Sequence, residues 1–394
     1  MLIKRKFLFN SFKLISSGLL TSIFVLLISS NRVFNFQGGF AIKLLLIIQW
    51  ETLGLTFSKL GFDTYLFAQF KANPNKVIDF IFTFKRVIVP IIIFSIGSIC
   101  VYDWHICLLL LLSILFDVFS TILIAYFNAK EQFNVTVFAN LFNYPFFFIL
   151  LLFLNLYLNY QSLTAYIAVF SLSSLARLSF LIYRYNTHHK ISVPTLQENE
   201  SISKSYLLGL QQLSNYYLFR SDQIILNLAS QFSILAFVTE GAKLNMLFYI
   251  KISELLNGLI VVLSPLYLDK FYSLKDKINK YIIPYIIFGL IGLATYFYAA
   301  HFLWKFDTTL KSTFAIPYIF YCILILPVNQ IIYYMMRKSY IKELVNVQII
   351  SILIGLIPIA LMLVFNSLWL LISISFIHLL LFVTFFKLKV YGKK

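Results

Sequence analysis

Charge is what this chain has least of. Only 12% of its 394 residues are Asp, Glu, Lys or Arg, 60% are hydrophobic, and the mean hydropathy is +0.87. That balance excludes both an ordinary water-soluble domain and a disordered segment. Cysteine is nearly missing. Cys100, Cys107 and Cys322 have no metal-binding spacing and make no disulfide framework, although Cys100 and Cys107 flank one short turn where a bridge would fit. No P-loop, nucleophile elbow or HExxH pattern is present, which argues against nucleotide hydrolysis, serine-hydrolase chemistry and zinc proteolysis. Histidine is sparse too. His188 and His189 fall in a polar stretch read as a solvated loop, and His301 and His378 fall near helix ends, so no metal cluster is expected.

What remains is a succession of apolar runs. About twelve are long enough to cross a hydrocarbon core of about 30 Å as helices. They cover residues 12–31, 40–60, 82–101, 105–127, 136–156, 160–183, 205–229, 233–264, 281–302, 312–336, 345–365 and 367–386. None has the short alternating pattern of a barrel strand, so the fold expected is an all-α polytopic membrane protein. Lys4, Arg5 and Lys6 precede the first run as in a secretory signal, but no small-residue cleavage site follows, and it is read as the first membrane helix.

The net charge of +17 follows this layout. With both termini in the cytoplasm, most Lys and Arg fall at cytoplasmic helix ends, while Arg32, Lys43, Lys305 and Lys311 fall outside. That asymmetry is the one that orients membrane bundles, and it accounts for the basic balance without nucleic acid. The most polar internal stretch, 184–205, divides the spans six and six. The expected organisation is an N-terminal lobe at 1–190, a cytoplasmic linker at 191–204 and a C-terminal lobe at 205–394. Outer loops are short and leave no room for an external catalytic domain, so no enzyme activity and no cofactor are expected.

Ionisable groups inside the spans then carry the functional question, because each is costly in lipid. On the eighth span Glu240, Lys243, Lys251 and Glu254 share one stripe within about 80° of arc at helical pitch. Gln211, Asn215 and Asp222 form a second stripe on the seventh, with Arg220 on its opposite side. In the N-terminal half, Glu51 and Asp117 are the candidates for a coupling H+ or Na+. Asp117 stands in line with Ser113, Ser120 and Thr121. Arg177 lies close enough to the cytoplasmic end to snorkel there. The alternative for all of these is ion pairing that merely fixes helix packing.

Two stretches resemble a known family. The segment Asn31-Arg32-Val33-Phe34, with Gly38-Gly39-Phe40 and Leu53-Gly54-Leu55, looks like a degraded form of one motif. Arg220-Ser221-Asp222-Gln223-Ile224-Ile225-Leu226, followed by Ala236-Phe237 and Ala242-Lys243-Leu244, looks like the family's seventh and eighth spans. Together with the twelve-span plan they resemble the polysaccharide flippase family, the Wzx-type O-antigen transporters of the multidrug and oligosaccharidyl-lipid exporter superfamily.

The resemblance implies two six-helix lobes around a central cavity in the bacterial inner membrane, and alternating access. It implies an undecaprenyl-diphosphate-linked oligosaccharide as substrate, and membrane lipids, a polysaccharide polymerase and chain-length machinery as partners. Arg32, Arg220, Lys243 and Lys251 would meet the anionic head group, with Asn215, Asp222, Glu240 and Glu254 beside them. The first motif lacks the family's leucine-glycine pair after Arg32, and acids nearly balance bases on the eighth span. A cation-coupled drug or metabolite antiporter of the same superfamily, a membrane polysaccharide polymerase and a non-transporting scaffold are the competing readings.

Overall fold

A computed structural model describes residues 40–73, 78–158, 160–188, 201–231 and 340–391, with isolated positions between 23 and 34 and between 286 and 335. Every regular element among the described residues is a helix. In chain order these are α1 (Phe40–Lys59), α2 (Phe62–Ala72), α3 (Phe80–Ile99), α4 (Trp104–Ala129), α5 (Phe133–Leu141), α6 (Tyr144–Leu152) with a π turn at Phe153–Tyr157, α7 (Leu163–His188), α8 (Ser201–Gln231), α9 (Ile341–Phe365) and α10 (Leu368–Tyr391). Among the described residues, five stretches are long and apolar enough to cross a membrane: Phe80–Ile99, Trp104–Ala129, Phe133–Tyr157, Leu163–Thr187 and Ile341–Phe365. Those helices mark a membrane protein. The expected spans at 12–31, 233–264 and 281–302, and much of 312–336, lie outside the described residues.

The chain forms two compact units, Met1–Ile28 with Lys43–Leu213, and Ser29–Ile42 with Ser214–Lys394. Their boundary falls inside α8. Helix starts and stops follow local chemistry. The Asp79 carboxylate accepts from the Phe82 N–H at 3.0 Å and caps α3. Asn366 closes α9 in a left-handed conformation, its N–H donating to the Met362 carbonyl, and the short turn returns the chain as α10 against α9.

Three local features depart from the simple alternation of straight helices and loops. The run 136–156 is not one continuous helix. It breaks at Phe142 and Asn143, because Pro145 cannot continue a helix from the preceding turn and instead opens α6 within its first two positions. The stretch expected to loop out is partly helical: α7 carries on to His188, and α8 starts at Ser201 inside the expected linker. Finally, α8 is bent at Arg220 (φ −137°, ψ 21°) with neither Pro nor Gly there. The bend leaves the Phe219 carbonyl to a side chain, and the Tyr321 hydroxyl donates to it at 2.9 Å.

In the first unit α4 runs through the core. Ile114, Val118, Ile122, Leu123, Tyr126 and Phe127 are buried against Phe62, Leu66 and Phe70 of α2, Val87 and Ile91 of α3, and Leu181 and Tyr185 of α7. Tyr185 also accepts the Ile78 N–H at 3.0 Å, tying the segment before α3 to α7. The outward side of α3 is bare: Ile81, Phe84, Val89, Ile92, Ile93, Ile96 and Ile99 are all exposed, as a lipid-facing surface requires. In the second unit Leu218 and Phe219 of α8 pack with Leu344 and Val347 of α9 and Leu379 and Phe382 of α10.

The turn between α1 and α2 is held by absence of side chains. Leu60 and Gly61 both have positive φ, and a Cβ on Gly61 would meet the Gly209 nitrogen of α8. A Cβ on Gly209 would strike the Leu60 backbone. Only hydrogen fits at either place.

Candidate functional site

The two acids expected in the N-terminal half come together. Glu51 of α1 and Asp117 of α4 are both buried, 2% exposed each, and their carboxyl groups lie within hydrogen-bonding reach of one another. Three further side chains complete the group. Ser174 Oγ donates to Asp117 Oδ2 at 3.1 Å, and Arg177 faces Asp117 Oδ1 at 3.5 Å. Arg177 also donates to Asn140 Oδ1 at 2.9 Å. Ser174 and Arg177 share a face of α7 because they are three residues apart. Asn140 arrives through the break after α5, which ends one residue later at Leu141.

Arg177 therefore does not snorkel to the cytoplasmic end; it is the counter-charge of the acid pair. The hydroxyl stripe on α4 is also not what was expected. Thr121 donates to the backbone carbonyl of Asp117 rather than to its carboxylate, and the buried hydroxyls of Ser113 and Ser120 have no hydrogen bond among the described residues. The hydroxyl that does reach the carboxylate, that of Ser174, comes from a different helix.

The charge count is the chemically active feature. Among the described residues the two carboxyls have one guanidinium against them, with Lys59 acting on Glu51 from beyond contact, which leaves the pair short of positive charge in a low-dielectric interior, and Glu51 Oε1 has no hydrogen bond there. One proton or one small cation closes that balance. Among the described residues no three His, Cys, Asp or Glu side chains converge as a metal centre would require.

A second polar group lies in the other unit, on α8 and α10. Asp222 is buried and accepts from Ser375 Oγ at 2.7 Å. Ser221 Oγ lies 3.2 Å from Ser375 Oγ and 3.1 Å from His378 Nδ1. Sequence reasoning set His378 aside as a helix-end residue; it is fully buried within α10. The signal available was its spacing, since Ser375 and His378 are three apart on one face.

The remaining candidates divide. Gln211 is buried and Asn215 half-buried, while the Arg220 guanidinium stacks 4.8 Å from the Tyr216 ring centroid. The bend at Arg220 changes the helical phase between Asn215 and Asp222, so the stripe drawn through all three for a straight helix is not continuous. Arg32, Glu240, Lys243, Lys251 and Glu254 lie outside the described residues. Cys100 is an exposed free thiol and Cys107 a buried one, so the turn between them carries no bridge.

Outside the spans, Lys59 and Asp63 pair at 2.9 Å across the α1–α2 turn. Burial there works to raise the Asp63 carboxyl, but Lys59 and the Thr64 N–H outweigh it and hold the group below its ordinary value. No family model, no curated protein and no solved structure matches the chain.

Proposed function

We propose that this chain is an ion-coupled secondary transporter that flips an undecaprenyl-diphosphate-linked oligosaccharide between leaflets of the bacterial inner membrane by alternating access. The observation that carries coupling is the buried Glu51–Asp117 pair with its single guanidinium. Such a group is nearly neutral with a proton or sodium ion in place and anionic without it. Exposure to water on one side favours release, and enclosure favours the occupied form. An alternating cycle needs a group whose occupancy and enclosure are linked in this way.

The cargo class rests on the resemblance of the segments around Arg32 and Arg220 to the polysaccharide flippases, together with the twelve-span plan. Arg32, Lys243 and Lys251 would receive the diphosphate in this reading, and two six-helix lobes would supply the passage. A cation-coupled antiporter of drugs or metabolites is the second reading. It is favoured by the acid excess among the described buried charges of the first unit.

Purified protein in liposomes containing a fluorescent undecaprenyl-diphosphate oligosaccharide provides the test. A pH or sodium gradient is expected to speed the appearance of label in the opposite leaflet, and Glu51→Gln to abolish the gradient's effect. Unchanged surface polysaccharide in a strain lacking the gene would overturn the cargo assignment. Gradient-driven uptake of an organic cation by the same liposomes, with no lipid flipping, would establish the second reading.

A further inference from the structure

The Asp222 group contains a hydrogen-bond chain whose direction is forced by its ends. The Ile374 carbonyl, 2.9 Å from His378 Nδ1, is an acceptor only, so Nδ1 carries a hydrogen. Ser375 Oγ donates its one hydrogen to Asp222 Oδ1, and it lies 3.4 Å from the Asp222 N–H, which donates to it. Its contact with Ser221 must then run from the Ser221 hydroxyl, which leaves Ser221 Oγ to accept from His378 Nδ1–H. All donors point one way, from imidazole to carboxylate.

The far side of the ring has a different character. Nε2 is buried with no hydrogen bond of good geometry among the described residues. It is turned to Gly355 of α9, where a Cβ would run into the imidazole, and to the backbone of Ile352. A buried nitrogen without a partner costs free energy, and a proton there lets it donate toward the Ile352 backbone. The other groups facing the ring are few. From α8 they are Asp222, through the two hydroxyls, and Tyr217, whose ring meets the imidazole edge-on at 5.4 Å. Arg220 is turned to Tyr216. From α9, and from α10 itself, no charged side chain is seen against the ring among the described residues.

We infer that His378, Ser221, Ser375 and Asp222 form a proton-binding relay in the second unit, separate from the Glu51–Asp117 group. A proton enters on His378 Nε2. The Nδ1 hydrogen passes to Ser221 Oγ as the Ser221 hydrogen passes to Ser375 Oγ and the Ser375 hydrogen passes to Asp222 Oδ1. The N–H bond at Nδ1 is broken, one O–H bond is made on Asp222, and each serine ends as it began. One proton has been taken up, the imidazole is neutral with its hydrogen on Nε2, and the carboxylate has become a carboxylic acid. The relay holds whatever the cargo, so its test is independent of flipping.

The probe is the proton itself, followed by nitrogen NMR of histidine-labelled protein in nanodiscs. His378 is identified by the resonance lost in His378→Gln, or observed alone after the other four histidines are replaced. As the pH is lowered, uptake of one proton is expected to move the ring hydrogen from Nδ1 to Nε2, a change of tautomer that the two nitrogen shifts report. Asp222→Asn and Ser375→Ala should each abolish this change and leave the hydrogen on Nδ1, since one removes the proton's destination and the other a link to it. Thr384→Ala, whose hydroxyl bonds the Leu380 carbonyl of its own helix, should leave the tautomer change in place. A His378 that keeps its hydrogen on Nδ1 at every pH, or that becomes a cation holding both hydrogens, overturns the relay. So does a tautomer change that is lost in Asp222→Asn and kept in Ser375→Ala, since charge alone would then suffice.

Discussion

Arg177 is the residue on which the buried acids depend. Removing one member of a buried ion pair costs about 3–5 kcal/mol, because the partner's charge stays behind without compensation. Arg177→Ala is therefore expected to lower the thermal midpoint in detergent sharply. Adding Glu51→Gln should recover part of the loss by removing one of the two acids. A double-mutant cycle on the midpoints checks this, and additive effects would mean that Glu51 and Arg177 do not share a site. Glu51→Gln alone should keep the fold, since it discards the excess charge and not the counter-charge.

Asp63 gives a pH dependence of definite sign. Its folded carboxyl titrates below the unfolded value of about 3.9, so its contribution to stability is fully present above that pH. The contribution is lost as the pH falls through the lower, folded value. Thermal midpoints of wild type and Asp63→Asn should thus differ by a constant amount at neutral pH and converge below about pH 4. A difference that persisted at the acid end would assign the effect to packing.

At the level of elements, the turn between α1 and α2 fits against α8 only because Gly61 and Gly209 lack side chains. Gly209→Ala brings a methyl into the Leu60 backbone, which has no flexible end to move aside. The expected cost is about 1–3 kcal/mol, read by thermal unfolding and by the yield of folded protein. Gly97→Ala is the control, because a Cβ there meets nothing within 4 Å.

The same scale shows what hydropathy can and cannot read. The positions of α1, α3, α4, α7, α9 and α10 follow closely from where apolar runs start and stop, because burial in lipid or core demands those residues in bulk. The break before Pro145 was hidden inside such a run, and the bend at Arg220 has no breaker residue to announce it. The site was legible in part. Glu51 and Asp117 stood out by their cost, but their sharing of Arg177 joins α1, α4 and α7 across a sequence separation that no helical periodicity encodes. His378 was weighed only as a metal ligand near a helix end; its burial comes from packing against Ser221 and Tyr217 of α8 and Gly355 of α9.

For the whole molecule, orientation is open to direct measurement. Cys100 is the exposed thiol at the end of α3, and Cys107 and Cys322 are buried. With cytoplasmic termini, that end of α3 faces outward. A membrane-impermeant maleimide added to intact cells is expected to label the protein at Cys100, and Cys100→Ser to abolish labelling. Labelling only after the membrane is permeabilised would invert the topology.

The row of isoleucines along α3, with Phe84 among them, sets a condition on handling. Once extracted, this flank has no solvent of its own kind, and an amphiphile must sheathe it or neighbouring copies will adhere there. Surfactants with chains too short to coat the helix from Ile81 to Ile99 should yield clumped material even where the interior stays intact.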